Sequence, residues 1–95
     1  MPPVPALIRE LKKRDFAVIP SRIDPFCYVA LRPGEKGGYC VLISDGLEGV
    51  ENYTSVLGSE TFYRIYIYDL RGRRWYRWKG SRFLSFRSVP SFLEK

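Results

Sequence analysis

Histidine and glutamine are absent from this 95-residue chain, asparagine occurs once (Asn52), and Met1 is the one methionine. Without histidine, the two cysteines cannot complete a usual four-ligand zinc set. No residue pattern pairs a nucleophile with a base, so the reading is a non-enzyme with no cofactor. No apolar run approaches membrane length, because Arg, Asp or Gly breaks each one. The start "MPPVPALIRELKK" lacks a basic segment followed by a long apolar stretch, so no secretory signal is read and a cytoplasmic location is expected. Internal repeats and low-complexity tracts are missing too. Cys27 and Cys40 sit in "FCYVAL" and "GYCVLI", where small buried hydrophobes are expected rather than a disulfide.

The scarcity of Gln, Asn and Met accompanies eleven Arg among twenty-six charged residues, a composition typical of thermophiles. Ninety-five residues make one domain, 1–95, with no room for a second core. A domain this small often gains stability by self-association, and a homo-oligomer is expected.

Charge is concentrated. The net charge is +6, but residues 62–88 carry eight basic side chains against Asp69 alone, and nine of the fifteen aromatics. Such polarisation predicts one basic face, a statement about partners rather than fold. Its densest part, "RGRRWYRWKGSRF" at 71–83, has six cations, four rings and no acid.

Along the chain, "PALIRELKKR" (5–14) reads as a helix, with Val4, Leu7, Ile8 and Leu11 at helical spacing. "FAVI" (16–19) is a short strand. "FCYVALR" (26–32) and "YCVLIS" (39–44) are strands joined by the turn "PGEKGG", a hairpin. Residues 45–60 are ambiguous, with a weak helical stripe at Val50, Tyr53 and Leu57. Three further strands follow at 61–69, 73–79 and 82–87, and "SVPSFLEK" closes with a helical turn. The fold class is α+β: an N-terminal helix packed on an antiparallel sheet of about five or six strands, arranged as a meander.

Strand alternation assigns faces. One face takes Tyr63, Ile65, Ile67, Tyr76 and Trp78. The other takes Arg64, Tyr66, Tyr68, Trp75, Arg77 and Lys79. A one-residue slip would place Arg77 and Lys79 among the isoleucines and desolvate their charges. The pattern therefore predicts a greasy side and an open basic, aromatic side. On that open side Arg64, Arg73, Arg77 and Lys79 are expected to meet phosphates, with Arg71, Arg74 and Arg82 as secondary contacts. Tyr66, Tyr68 and Trp75 are expected to stack on unpaired bases, as single-strand binding requires. The competing reading makes those three rings ordinary sheet residues, covered by 45–60 or by a second subunit.

Two resemblances accompany this reading. "LIRELKKRDFAVIPSR", "FCYVALR" and "GYCVLIS" are similar in layout to the opening of archaeal Holliday-junction resolvases of the PD-(D/E)xK nuclease fold. That family would place metal-binding carboxylates on the hairpin. Here Phe26 and Cys27 stand where its Asp belongs, and Ser44 and Gly46 where its Glu and Lys belong. Asp24 and Asp45 remain as turn residues. In size, composition and helix-then-sheet order, the whole chain resembles the thermophilic archaeal ThermoDBP-related single-stranded DNA-binding proteins. That resemblance implies a basic, aromatic-lined cleft and assembly into oligomers. The expected function is sequence-independent binding of single-stranded nucleic acid, DNA by preference, with no membrane role. The alternatives are a catalytically inactive nuclease-like junction binder and a structural protein-interaction subunit.

Overall fold

A computed structural model describes residues 4–34, 37–54, 63–79, 82–86 and 89–93. Helix α1 spans Val4–Lys13 and buries Leu7 and Leu11, four residues apart on one face. Its end is a Schellman motif. Phe16 N–H reaches back to Leu11 O, and Asp15 N–H to Lys12 O. Asp15 takes the left-handed position at φ 66°, where glycine is usual. Phe16 and Leu11 then pack together in one buried cluster, which fixes the direction in which the chain leaves the helix.

Among the described residues six strands follow: β1 Ala17–Pro20, β2 Phe26–Arg32, β3 Tyr39–Ser44, β4 Arg64–Asp69, β5 Arg74–Trp78 and β6 Phe83–Phe86. A 3₁₀ turn, Ser91–Leu93, comes after them. They form one sheet in chain order, so the α+β layout is as the sequence predicts. One joint departs from the expected meander. β3 and β4 run parallel, pairing Tyr39 with Arg64 through Ser44 with Asp69, while every other neighbouring pair is antiparallel. Parallel neighbours cannot share a tight turn and need a long crossover. The ambiguous stretch after β3 provides it, with residues 50–54 helical. Residues 55–60 of that stretch, Leu57 among them, lie outside the described residues.

Each sheet face is covered by a different layer. On one side Leu7, Leu11 and Phe16 join Ala30, Val41, Ile43, Tyr66, Tyr68 and Trp75, with Phe92 and Leu93 packed against them. On the other, Phe26, Cys40, Leu42, Ile65, Ile67 and Trp78 meet Val50 from the crossover. Both cysteines are free, and burial pushes the Cys40 thiol up to about 12. Among the described residues, no helix is long and apolar enough to cross a membrane.

The strand faces match the predicted alternation, although the sequence pattern pairs Trp75 with Tyr66 and Arg77 with Arg64, a register two residues from the one observed. Trp75 lies opposite Tyr68 and Arg77 opposite Tyr66. A shift of two preserves the faces. The expectation of an open basic, aromatic face is overturned. Tyr66, Tyr68 and Trp75 are 9%, 3% and 2% exposed. The cause is the apolar stripe of α1 and the C-terminal turn, which need a partner surface. Phe92 meets the Tyr66 ring edge-on, with centroids 5.2 Å apart. Covering each large ring is worth roughly 2–3 kcal/mol, more than a solvated ring would retain.

Trp75 and Trp78 therefore each anchor one layer. Replacing either by alanine should destabilise the fold by ~3–5 kcal/mol, measured by chemical denaturation. A Trp75→Ala protein with wild-type stability would contradict the buried placement.

Candidate nucleic-acid interface

The ten residues nominated from the sequence do not share one surface. Arg71, Arg73 and Arg74 lie at the β4–β5 turn, while Arg64, Arg77, Lys79 and Arg82 gather toward the other end of the sheet. Five residues of β4 separate the two ends, roughly 17 Å at strand rise. Arg73 occupies a left-handed turn position at φ 52°. Arg71 is committed locally: its Nε and Nη2 donate to the Asp45 carboxylate at 2.8 and 3.4 Å. Its backbone N–H donates to Asp69 Oδ1 at 3.0 Å.

The Arg64 end is organised around Tyr39. The register places Arg32, Tyr39 and Arg64 side by side on three adjacent strands. Arg32 Cζ and Arg64 Cζ lie 4.9 and 4.7 Å from the Tyr39 ring centre. Arg64 Nη1 also donates to Tyr39 Oη at 2.6 Å. Arg32 sits 4.9 Å from the Phe16 ring, and Arg77 lies 5.7 Å from the Tyr66 ring. Guanidinium groups held against rings keep their charge while their stems pack, so less freedom is lost on meeting an anion. Lys79 follows Arg77 on the same face, and its N–H donates to Arg82 O at 2.9 Å across the hairpin. The Lys79 and Arg82 side chains are exposed, and Arg77 is half-buried.

Glycine at position 38 makes this end possible. A β-carbon there would overlap the Arg32 carbonyl oxygen and lie 2.8 Å from the Tyr63 ring. The backbone comes close because Gly38 O accepts from Arg64 N–H at 2.8 Å, which seats the first residue of β4.

Ion pairs among the described residues involve Lys13 and Arg14 with Glu10, and Arg71 with Asp45. None reaches Arg32, Arg64, Arg77, Lys79 or Arg82. Arg14 has a structural task. Its Nη1 donates to Glu10 Oε2 at 2.6 Å and its Nη2 to Leu93 O at 3.1 Å, tying α1 to the C-terminal turn. The Glu10 carboxyl is held below its ordinary value, first by that bond to Arg14.

Two hollows open at opposite ends of the sheet. One, of about 400 Å³, lies by Tyr39 and is lined by Arg14, Asp15, Arg32, Ser91 and Phe92 as well. The other, of about 880 Å³, lies at the far end and includes Asp24, Cys27, Asp45, Asp69 and Arg71. Burial, then Asp45 and Asp24, push the Cys27 thiol up. Asp24 and Asp45 thus share a hollow, yet among the described residues no three His, Cys, Asp or Glu side chains form a group able to hold a metal.

Arg32, Tyr39 and Phe92 escaped the sequence reading. Arg32 and Tyr39 flank the "PGEKGG" turn, and pairing across that hairpin was sufficient to bring them together. Compared with protein-family models, curated proteins and solved structures, the chain matches none.

The Asp45–Arg71 pair gives a check on this division of the cations. Arg71 lowers the Asp45 carboxyl below its ordinary value through the hydrogen bond and then its charge. A depressed folded-state pKa stabilises above the ordinary carboxylate range, and that contribution is lost as pH falls through the folded value. In Arg71→Ala the Asp45 carboxyl should return upward, read by carboxyl-carbon NMR titration. An unmoved Asp45 would mean that Arg71 is not committed to it.

Proposed function

We propose that this protein binds single-stranded nucleic acid, DNA by preference, along the cation row at the Tyr39 end of the sheet. The observation that carries the reading is the set Arg32, Arg64, Arg77, Lys79 and Arg82, gathered on one end with no carboxylate partner among the described residues. Cations left without acids, several of them braced on rings, suit a string of phosphates. The half-buried rings of Tyr39 and Phe92 offer flat surface beside them, and base stacking on such rings tolerates any sequence. Duplex reading usually uses a helix in the major groove. Here α1 ends in Lys12 and Lys13 but is occupied on its inner face by the sheet.

Compared with the residues first nominated, the proposed site keeps Arg64, Arg77, Lys79 and Arg82. It gains Arg32, Tyr39 and Phe92, and it leaves Arg71, Arg73 and Arg74 at the far end. Base stacking does not fall to Tyr66, Tyr68 or Trp75, which are buried. The proposal includes no catalysis.

Self-association is part of the same proposal. Among the described residues β1 ends the sheet with a single neighbour, and Ile19 in it and Ile23 beyond it are 56% and 54% exposed. An uncovered edge with apolar side chains favours pairing with a second copy. Light scattering coupled to size exclusion should report a multimer, and a strict monomer at high concentration would remove this part.

The binding test is electrostatic. With about four phosphates neutralised, log K should fall with log salt at a slope near −3. Arg64→Ala and Lys79→Ala should each weaken binding and reduce the slope by about 0.7, whereas Arg71→Ala should leave both unchanged. Fluorescence anisotropy on an oligothymidylate measures this. A salt-independent affinity, or loss through Arg71 alone, would refute the assigned row.

A further inference from the structure

We infer that the 400 Å³ hollow beside Tyr39 is a base pocket that selects guanine. The inference rests on the single-strand reading and adds a preference to it. Three charged residues line this hollow: Arg14, committed to Glu10 and the Leu93 carbonyl, and Arg32 and Asp15, which do not pair with each other. Arg32 Nη1 donates to the Arg14 carbonyl at 3.1 Å, and that carbonyl belongs to the peptide leading into Asp15. The Arg32 guanidinium therefore sits beside the peptide that carries Asp15, both residues line the hollow, and no ion pair joins them. Arg32 spends one N–H on the carbonyl and keeps the others. Asp15 is exposed, on a left-handed backbone that fixes its place at the helix end.

Flat walls complete the hollow. The Tyr39 and Phe92 rings are in contact, with centroids 4.9 Å apart and planes tilted by 53°. Ser91, exposed at the start of the 3₁₀ turn, adds a hydroxyl. The volume exceeds that of one base and is far below that of a duplex step.

Hydrogen-bond chemistry decides which base. A carboxylate only accepts, and a guanidinium only donates. The ligand must present two donors to Asp15 and two acceptors to Arg32. Guanine has both: N1–H and the N2 amino group on one edge, and O6 with N7 on the other. Adenine presents a single amino group flanked by acceptors, which a carboxylate repels. Thymine has one N–H between two carbonyls. Cytosine has one amino group. The pocket lies against Arg32, a member of the cation row, and Tyr39, the ring beside it, so a strand on the row can place a base in it.

Backbone conformation makes the key variant clean. Asparagine tolerates the left-handed position, and glycine prefers it, so neither Asp15→Asn nor Asp15→Gly should unfold the helix end. The experiment titrates the full chain with guanosine, inosine and adenosine monophosphates, following backbone amide shifts of Asp15, Tyr39 and Phe92. Inosine keeps N1–H, O6 and N7 but lacks the N2 amino group. A parallel arm measures binding of an oligothymidylate of about 15 nucleotides by anisotropy. Guanosine monophosphate should bind at least about fivefold more tightly than the other two, the lower end of discrimination by a bidentate pair. Both Asp15 variants should erase that margin while leaving oligothymidylate binding intact. Equal affinities for the three nucleotides, or a guanine margin that survives Asp15→Asn, would overturn the pocket. A guanine margin without oligothymidylate binding would keep the pocket and refute the strand-binding reading. Oligothymidylate binding with no guanine margin would refute the pocket alone.

Discussion

Two parallel strands side by side oblige the chain to travel the length of the sheet before it can pair again. That geometry at β3 and β4 governs the rest of the molecule. The described part of the crossover leaves Val50 on one sheet face, while α1 and the C-terminal turn take the other. The central strands are then covered on both sides, which is why all but the first residue of each is buried. Parallel pairs are characteristically enclosed in this way. With both faces occupied, polar chemistry can reach solvent only at the strand ends and the sheet edges. The hollows and the cations are found there.

The grouping at Tyr39 follows from the same geometry. Arg32 closes β2, Tyr39 opens β3, and Arg64 opens β4, so three strand termini meet on one line. Each guanidinium rests near a ring and joins no ion pair among the described residues. An exposed pair with a carboxylate would contribute little, and it would cancel the charge. Ring contacts orient the cation and leave it available. The far end behaves differently. Arg71 is matched by Asp45, and Asp69 accepts from the turn backbone. The two ends of one sheet thus differ in what holds their arginines: rings for Arg32 and Arg64 at Tyr39, and the Asp45 carboxylate for Arg71 at the other.

Much of the fold was legible because its signals are local. The helix carried a stripe at Leu7 and Leu11, the first hairpin carried its glycine turn, and the alternation of Tyr66 and Tyr68 against Ile65 and Ile67 gave the faces. What alternation cannot say is what lies above each face. Tyr and Trp have a polar tip and an apolar body, so the pattern fits a wet platform as well as a core. One signal against an open face was present. "IYIY" is apolar on both parities, the mark of a strand enclosed on both sides. A second was the long gap between β3 and β4, too great for a hairpin. The site was harder to read, because Arg32, Tyr39 and Phe92 are brought together by tertiary packing. The density of charge in 71–83 drew attention to a segment whose cations the fold divides between two ends.

The buried tryptophans give the molecule an optical property. Trp75 points to the helix layer and Trp78 to the crossover layer, 2% and 8% exposed. They are three residues apart on one strand, yet the sheet stands between their rings. Tyr68 lies 5.1 Å from the first, and Phe83 lies 4.8 Å from the second. Intrinsic emission is therefore the sum of two reporters, each set by the dryness of its own layer. Exchanging one for phenylalanine leaves a single emitter, and the pair of single-tryptophan proteins can report separately whether water enters the two layers together or in turn.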